Sequence, residues 1–139
     1  NNNLYLDILE IFADIRCFDF YKKTPNIKFN VVITSCSFHY SVNKEFSLKQ
    51  KVNKLQSIVA KNGYLYIDYM MAIDENDNNN WPIEKFFRKG EIVSCFDKCW
   101  EVIFIKENNN SSFEKAHVDY VKDHFHRFGY ILARRIKWN

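Results

Sequence analysis

The sequence predicts an α/β fold built around a βαβ unit, and three consecutive segments carry that prediction. Residues 30–35 are a short run of β-branched apolar residues that stops at small polar ones, which is typical of a buried strand. Residues 44–61 place apolar side chains on one helical stripe, and residues 64–67 are typical of a second strand. A strand, an amphipathic helix and a strand make a right-handed crossover, so the two strands are expected to pair in parallel.

The predicted helix has a regular apolar stripe and a recognisable end. The Asn–Gly pair at residues 62–63 predicts its C-terminus, because glycine tolerates the left-handed conformation found there. In α/β sheets, ligands bind beyond the carboxyl ends of the parallel strands, which here are residues 35–40 and 68–70. The stripe consists of Leu48, Val52, Leu55, Ile58 and Val59.

Segments outside this unit predict further strands and polar loops. Residues 8–14 are expected to contain a short strand, although the spacing of their apolar side chains also suits a helix. The Asn-rich runs at residues 74–80 and 108–114 are too polar to order themselves by burial and predict surface loops. Residues 89–96 predict a short helix. The closing strands, expected to pair antiparallel as a hairpin with a long loop, are residues 100–106 and 124–138.

Composition limits the class of protein. The chain of 139 residues, 47% of them hydrophobic, fits a single domain spanning residues 1–139. A net charge of +3 permits an acidic ligand but is far from the strongly basic charge of a nucleic-acid-binding domain. No apolar run approaches the ~20 residues that span a bilayer, so no membrane partner is expected. No signal peptide is expected, and the four cysteines are therefore expected as free thiols in a reducing, cytoplasmic compartment.

Several stretches, taken in order, carry a resemblance to a known family. Residues 13–19 (ADIRCFD) resemble the segment after its third strand, residues 29–40 (FNVVITSCSFHY) its fourth strand and following loop, and residues 63–69 (GYLYIDY) its fifth strand. The family is the class I S-adenosylmethionine-dependent methyltransferases of the tellurite-resistance type, and the chain resembles their C-terminal portion. Three further segments resemble the closing section of that family, namely residues 86–92, 96–102 and 129–135.

The resemblance implies a Rossmann-like methyltransferase sheet, with S-adenosylmethionine as cofactor and a small molecule or an oxyanion as methyl acceptor. The chain departs from the family where the cofactor signature belongs. A Gly-rich turn lets the backbone approach a ligand closely, but none of the three glycines, Gly63, Gly90 and Gly129, lies in such a turn. The first two strands of the family have no counterpart, so the domain is expected to be partial.

Without those first strands, the strand at residues 30–35 would be an apolar sheet edge, which is a hazard for unwanted pairing. A partner chain, a second copy or a missing half is therefore expected to cover it. Two other functions stay open. One is a catalytically silent methyltransferase-like module that binds a partner through this edge. The weaker one is a nucleic-acid (cap-type) methyltransferase, suggested by the aromatic-His-Tyr run at residues 38–41, although nucleic acid is not an expected partner.

The resemblance also implies positions for the cofactor. It places Asp14 and Ile15 where the family contacts the adenine, although a loop Asp also commonly caps a turn. It places Ser35, Cys36 and Phe38 near the methionine part of the cofactor.

Residues next to these are candidates for catalysis and substrate binding. His39 could act as a general base, because its ordinary pKa lies near neutrality, or it could merely form a structural hydrogen bond. A base is dispensable if the methyl acceptor is already nucleophilic, since positioning then suffices. The candidate substrate-binding residues are Tyr40, Asp68, Tyr69, His124, His126 and Arg127.

The histidines also invite a metal hypothesis. His124 and His126 would share a face of a strand, with His117 a loop away, and Cys95 and Cys99 are four apart. A metal site needs three or four convergent ligands, and the cysteine pair has neither the tight spacing nor a second matching pair. The sequence therefore predicts no metal site, and the histidines are expected on the surface of the closing strand.

Overall fold

The structure is a computed structural model that describes residues 19–35, 37–39, 45–73, 85–116 and 122–137. Within these ranges, no helix has both the length and the apolar character needed to cross a bilayer. The described elements, in chain order, are β1 (Phe29–Thr34), α1 (Leu48–Ser57), β2 (Val59–Met70), a 3-10 helix (Val93–Cys95), β3 (Trp100–Glu107), β4 (Ser112–Glu114), β5 (His124–His126) and β6 (Phe128–Arg135).

Four of the strands form one mixed sheet in the order β1-β2-β6-β3. β1 pairs with β2 in parallel, and α1 connects them, so the predicted βαβ unit is confirmed. β6 inserts between β2 and β3 and pairs antiparallel with both, which confirms the expected antiparallel pairing of the closing strands. This α/β, Rossmann-like arrangement brings the carboxyl ends of β1 and β2 to one edge.

The helix starts and ends where local chemistry decides. Ser47 accepts a hydrogen bond from the backbone N–H of Gln50, whose side chain accepts one from the backbone of Ser47, forming a capping box. The helix ends at Ile58, so the predicted stop at residues 62–63 is wrong. Asn62 does adopt a positive φ of 63°, but it does so inside β2, where the pairing with β1 shifts register.

One side of the sheet, the covered face, faces α1 and the 3-10 helix. Leu65, Ile67 and Ile131 are fully shielded from solvent on this face, and they belong to one core cluster with Val52 and Leu55 of α1. Such side chains each contribute roughly 1.5–3 kcal/mol when buried. The predicted helical stripe is therefore the part of the chain that completes the core. The covered face includes Val32, Thr34, Leu65, Ile67, Tyr69, Trp100, Ile131, Ala133 and Arg135.

The opposite side of the sheet, the open face, is apolar at β1 and largely accessible. Val31 is 56% exposed and Ile33 is 64% exposed, because no described helix lies over them. Successive side chains of a strand alternate between faces, so Asp68 also belongs to this side. The open face includes Val31, Ile33, Tyr64, Tyr66, Asp68, Phe104, Phe128, Tyr130, Leu132 and Arg134.

A separate two-stranded ribbon of β4 and β5 lies between β3 and β6 along the chain. β4 falls within residues expected to form a loop, and β5 is separated from β6 by Arg127, so the expected single closing strand is divided. The ribbon pairs Glu114 with His124 and Ser112 with His126. The remaining pair, Phe113 and Phe125, lies on the other side of the ribbon and is 55% exposed at both residues.

Two further expectations can be compared with the structure. The short helix expected within residues 89–96 is a 3-10 helix, Val93–Cys95, and Ile92 before it is fully buried. Cys95 and Cys99 are buried free thiols, as expected for those two positions. The strand expected within residues 8–14, and with it the question of further strands before β1, lies outside the described residues.

Candidate functional site

The carboxyl ends of β1 and β2 bring together two polar side chains. Ser35 follows β1 directly, and its hydroxyl donates a hydrogen bond of 3.1 Å to Oδ2 of Asp68 near the end of β2. Ser35 is exposed, whereas Asp68 is only 9% exposed. A nearly buried carboxylate near a strand end, bonded to a hydroxyl that follows the neighbouring strand, forms a polar centre at this edge of the sheet.

His39 extends this centre from the turn that follows β1. Its imidazole is 2% exposed, and burial lowers its pKa, an effect that the nearby Asp68 carboxylate opposes and that His126 reinforces. The imidazole is therefore neutral at neutral pH and can accept a proton. The backbone holds the turn, since the N–H of Lys85 donates to the carbonyl of His39 over 2.6 Å.

The β5–β6 connection closes the same edge. The N–H of Met71, just beyond β2, donates to the carbonyl of Arg127 over 2.7 Å. The guanidinium Nη1 of Arg127 donates to the carbonyl of Ala72 over 3.3 Å. These two bonds hold β5 against the end of β2 and set His126 among the groups that act on His39. The site therefore draws on β1, β2 and the ribbon, which are far apart in sequence.

Phe38 and Tyr69 lie at the same edge but point into the core. Phe38 is 3% exposed and packs against Phe87 with ring centroids 5.6 Å apart. Tyr69 is 1% exposed, and its hydroxyl donates a 2.8 Å hydrogen bond to Glu107. Burial and that hydrogen bond raise the pKa of Tyr69. The cofactor role of Phe38 and the substrate role of Tyr69 stay predictions, and the described surroundings of both are those of core residues.

Comparison with known structures gives clear matches. TehB from Haemophilus influenzae matches with a TM-score of 0.67 and 17% sequence identity, over 95% of this chain and 45% of that one. A structure from work on the conversion of a disulfide bond into a thioacetal group during echinomycin biosynthesis matches with a TM-score of 0.58 and 14% identity, over 96% of this chain and 62% of that one. The fold is that of the S-adenosylmethionine-dependent methyltransferases.

At these identities the likeness concerns the methyltransferase fold alone. No protein-family model matches the sequence, and no curated protein matches it. The chain spans about half the length of TehB, because the match covers 45% of the TehB chain. The resemblance of the sequence to the tellurite-resistance type of methyltransferase is confirmed at the level of the fold.

Within the methyltransferase fold, the described candidates gather at the edge where such sheets bind ligands. Ser35, His39 and Asp68 lie there together, as the strand ends led us to expect, and His126 lies near His39. The candidates Asp14, Ile15, Cys36 and Tyr40, together with His117, lie outside the described residues.

One residue of the edge was missed by sequence reasoning. Glu114 was expected in a polar loop, yet its carboxylate Oε2 lies 3.1 Å from Nε2 of His126. The contact arises because β4 pairs with β5 across nine intervening residues, with Glu114 opposite His124. The only local signal was the polar–apolar alternation of residues 112–114. Three residues are too few for such an alternation to predict a strand. The surface position expected for His124 and His126 is wrong, since they are 9% and 4% exposed.

Proposed function

We propose that the chain is the C-terminal part of an S-adenosylmethionine-dependent methyltransferase that acts on a small molecule or an oxyanion. The observation that carries the proposal is the polar centre of Ser35, Asp68 and His39 at the carboxyl edge of a methyltransferase-type sheet. This is the edge where α/β sheets bind their ligands, and most of the rest of the sheet is apolar.

S-adenosylmethionine supplies an electrophilic methyl group on a positively charged sulfonium. The chain contributes a nearly buried carboxylate, Asp68, whose negative charge suits a cationic ligand. Ser35 orients that carboxylate by its hydrogen bond. Asp14, Ile15, Cys36 and Phe38 remain the proposed contacts to the rest of the cofactor. The Gly-rich turn implied by the family is absent from these 139 residues, so the proposal requires it from another segment or a second copy.

His39 is the proposed general base. Its lowered pKa keeps the imidazole neutral, which is the form that removes a proton from an acceptor as the methyl group arrives. His126 and Arg127 border the same edge and are proposed to face the substrate, together with Tyr40 and His124. Methyl transfer to an oxyanion needs no base, and there the same residues would act by positioning and by excluding water.

Calorimetric titration with S-adenosylmethionine and its demethylated product tests the cofactor site. The proposal expects micromolar binding, weakened roughly tenfold or more in Asp68→Asn, because a hydrogen bond or charge contact of that kind contributes about 1.5–3 kcal/mol. Asparagine keeps an acceptor for Ser35, so the fold is retained. Glu101→Gln, on the exposed edge strand β3, is the matched control and should bind as the parent does. Equal binding by Asp68→Asn would remove Asp68 from the site.

The second candidate is a catalytically silent module of the same fold that binds a partner through the sheet edge at β1. The exposure of Val31 and Ile33, at 56% and 64%, favours it, because apolar edge strands are normally covered. Absence of cofactor binding by a folded chain would favour this candidate over the first. Self-association or partner binding that depends on Ile33 would support it directly.

A further inference from the structure

Three potential metal ligands converge on the inner side of the β4–β5 ribbon. Nε2 of His124 and Nε2 of His126 are 2.8 Å apart, and Oε2 of Glu114 is 3.1 Å from Nε2 of His126. One ligand atom from each of the three residues lies within 4.8 Å of the others. The ribbon creates this cluster, because residues two apart on β5 share a face and Glu114 is paired with His124.

The ring nitrogens of His124 are already arranged for a metal ion. Nδ1 of His124 lies 2.9 Å from the carbonyl of Lys122, and because a carbonyl only accepts hydrogen bonds, Nδ1 must carry the proton. In the neutral ring, Nε2 of His124 then holds a lone pair directed at Nε2 of His126, which in turn lies beside the Glu114 carboxylate. An imidazole that donates one N–H to a backbone carbonyl and presents its other nitrogen is the usual arrangement of a histidine ligand in proteins.

Burial restricts the cluster to a defined geometry. His124 and His126 are 9% and 4% exposed, so their rings have little room to turn away from each other. The side chain of Glu114 is 50% exposed, which leaves one side of the cluster accessible to solvent. Two fixed imidazoles and a more mobile carboxylate allow an ion to enter and leave a coordination position for water or a further ligand.

We propose that Glu114, His124 and His126 bind a divalent transition-metal ion of the zinc class. In a tetrahedral zinc site with bonds of about 2.0–2.1 Å, neighbouring nitrogen atoms lie about 3.3 Å apart, so the two rings need to separate only slightly. His126 then binds through Nε2 and carries its proton on Nδ1. Imidazole ligands favour zinc, nickel and copper, whereas calcium and magnesium prefer sites made of oxygen atoms.

The proposed ion would lie at the ligand edge of the sheet. His126 is close enough to His39 to act on its charge, and Arg127 joins the ribbon to the end of β2. An ion here would therefore add positive charge to the rim of the edge where Asp68 and His39 lie. The metal site goes beyond the proposed methyl transfer and is independent of whether that proposal holds.

Titration of the metal-free chain with Co²⁺ and Zn²⁺ tests the site. The expected result is one ion per chain, a visible Co²⁺ spectrum, and competition of Zn²⁺ for the same site. His124→Ala/His126→Ala should abolish this binding, and Glu114→Gln should weaken it roughly tenfold or more. Ser112→Ala is the matched control, because Ser112 lies on the same face opposite His126 and supplies no ligand of the cluster; its binding should equal that of the parent.

Two measurements keep the test decisive if the double variant does not fold. Glu114→Gln changes only a half-exposed side chain, so unaltered binding in that variant would contradict the carboxylate ligand. X-ray absorption at the zinc edge of the parent chain should show nitrogen and oxygen ligands at about 2.0–2.2 Å, two of them imidazoles. Sulfur ligands at about 2.3 Å would assign the ion to cysteines, and no stoichiometric binding would leave a hydrogen-bonded histidine pair; either result overturns the proposal.

Discussion

The covered face of the sheet is apolar across its centre and shielded by α1, whereas the open face is apolar at β1 and polar where the strands end. Ile67 on the covered face is fully buried, and Ile33 on the open face of the neighbouring strand is 64% exposed. The two isoleucines have the same chemistry and differ only in what lies over them.

The contrast shows which part of the chain supplies its own core. The βαβ crossover brings α1 over one face only, because a right-handed crossover packs its helix on a fixed side of the sheet. Asp68, at the polar end of the open face, lies on the side without that helix. Stability therefore depends on the covered face, and the proposed functions depend on the open one.

The largest expected effect comes from truncating one isoleucine on each face. Ile67→Ala should lower the free energy of unfolding by about 2–5 kcal/mol, since it removes buried volume and leaves a cavity. Ile33→Ala should change the free energy of unfolding by at most about 1 kcal/mol, because most of the side chain is already in water. Urea denaturation followed by circular dichroism measures both. Equal losses would mean that the open face is also covered within the chain.

A substitution at Gly129 tests the packing of the covered face more finely. A Cβ there would lie 2.3 Å from Cε2 and Cζ of Tyr69, which is far inside contact distance. Tyr69 cannot swing aside without losing its hydrogen bond to Glu107. Gly129→Ala should therefore reduce the free energy of unfolding by about 1–3 kcal/mol.

The control for Gly129 is a double-mutant cycle with Tyr69→Ala. If the ring causes the loss, Gly129→Ala should cost little in a chain that already lacks the ring, giving a coupling of about 1 kcal/mol or more. Additive losses would show that the glycine is needed for its backbone rather than for the space beside Tyr69.

Much of the covered face could be predicted from the sequence, because its signals are local. The stripe of α1 is a periodic pattern that burial explains. The β-branched run predicted the strand β1 correctly, but its expected burial holds on one face only, since Val31 and Ile33 are 56% and 64% exposed. The helix end was misplaced because Asn62 and Gly63 are suited equally to a helix cap and to a bulge in β2, where a Cβ on Gly63 would lie 2.8 Å from the carbonyl oxygen of Asn30.

The candidate site was predictable only in part. Strand ends point to Ser35 and Asp68, because the carboxyl ends of parallel strands share an edge. The approach of Glu114 to His126 depends on the register of a short ribbon inside polar sequence, which no local pattern specifies. In the sequence, His117 was the nearest further histidine that could act as a third metal ligand, whereas in the structure Glu114 lies beside His124 and His126.

A moderate effect is expected on self-association through the open face. Ile33→Lys places a charge at an exposed apolar position, and lysine on an edge strand opposes pairing with another chain. Sedimentation velocity should show a smaller average mass for this variant than for the parent at the same concentration. Phe113→Lys is the matched control, since Phe113 is 55% exposed but lies on the ribbon. An identical decrease in average mass for both variants would indicate non-specific hydrophobic association rather than a specific interface.

The smallest effect concerns the reactivity of thiols on the two sides. Burial raises the pKa of Cys95, so at pH 8 a smaller fraction is thiolate than in an exposed cysteine, and its reactivity should continue to rise at higher pH. Iodoacetamide followed by mass spectrometry should modify Cys95 slowly. A cysteine introduced by Val31→Cys, at a position 56% exposed, should react faster in the same experiment. Urea should bring the two rates together, because unfolding removes the difference between the faces; rates that already agree in the native chain would mean that the covered face opens readily.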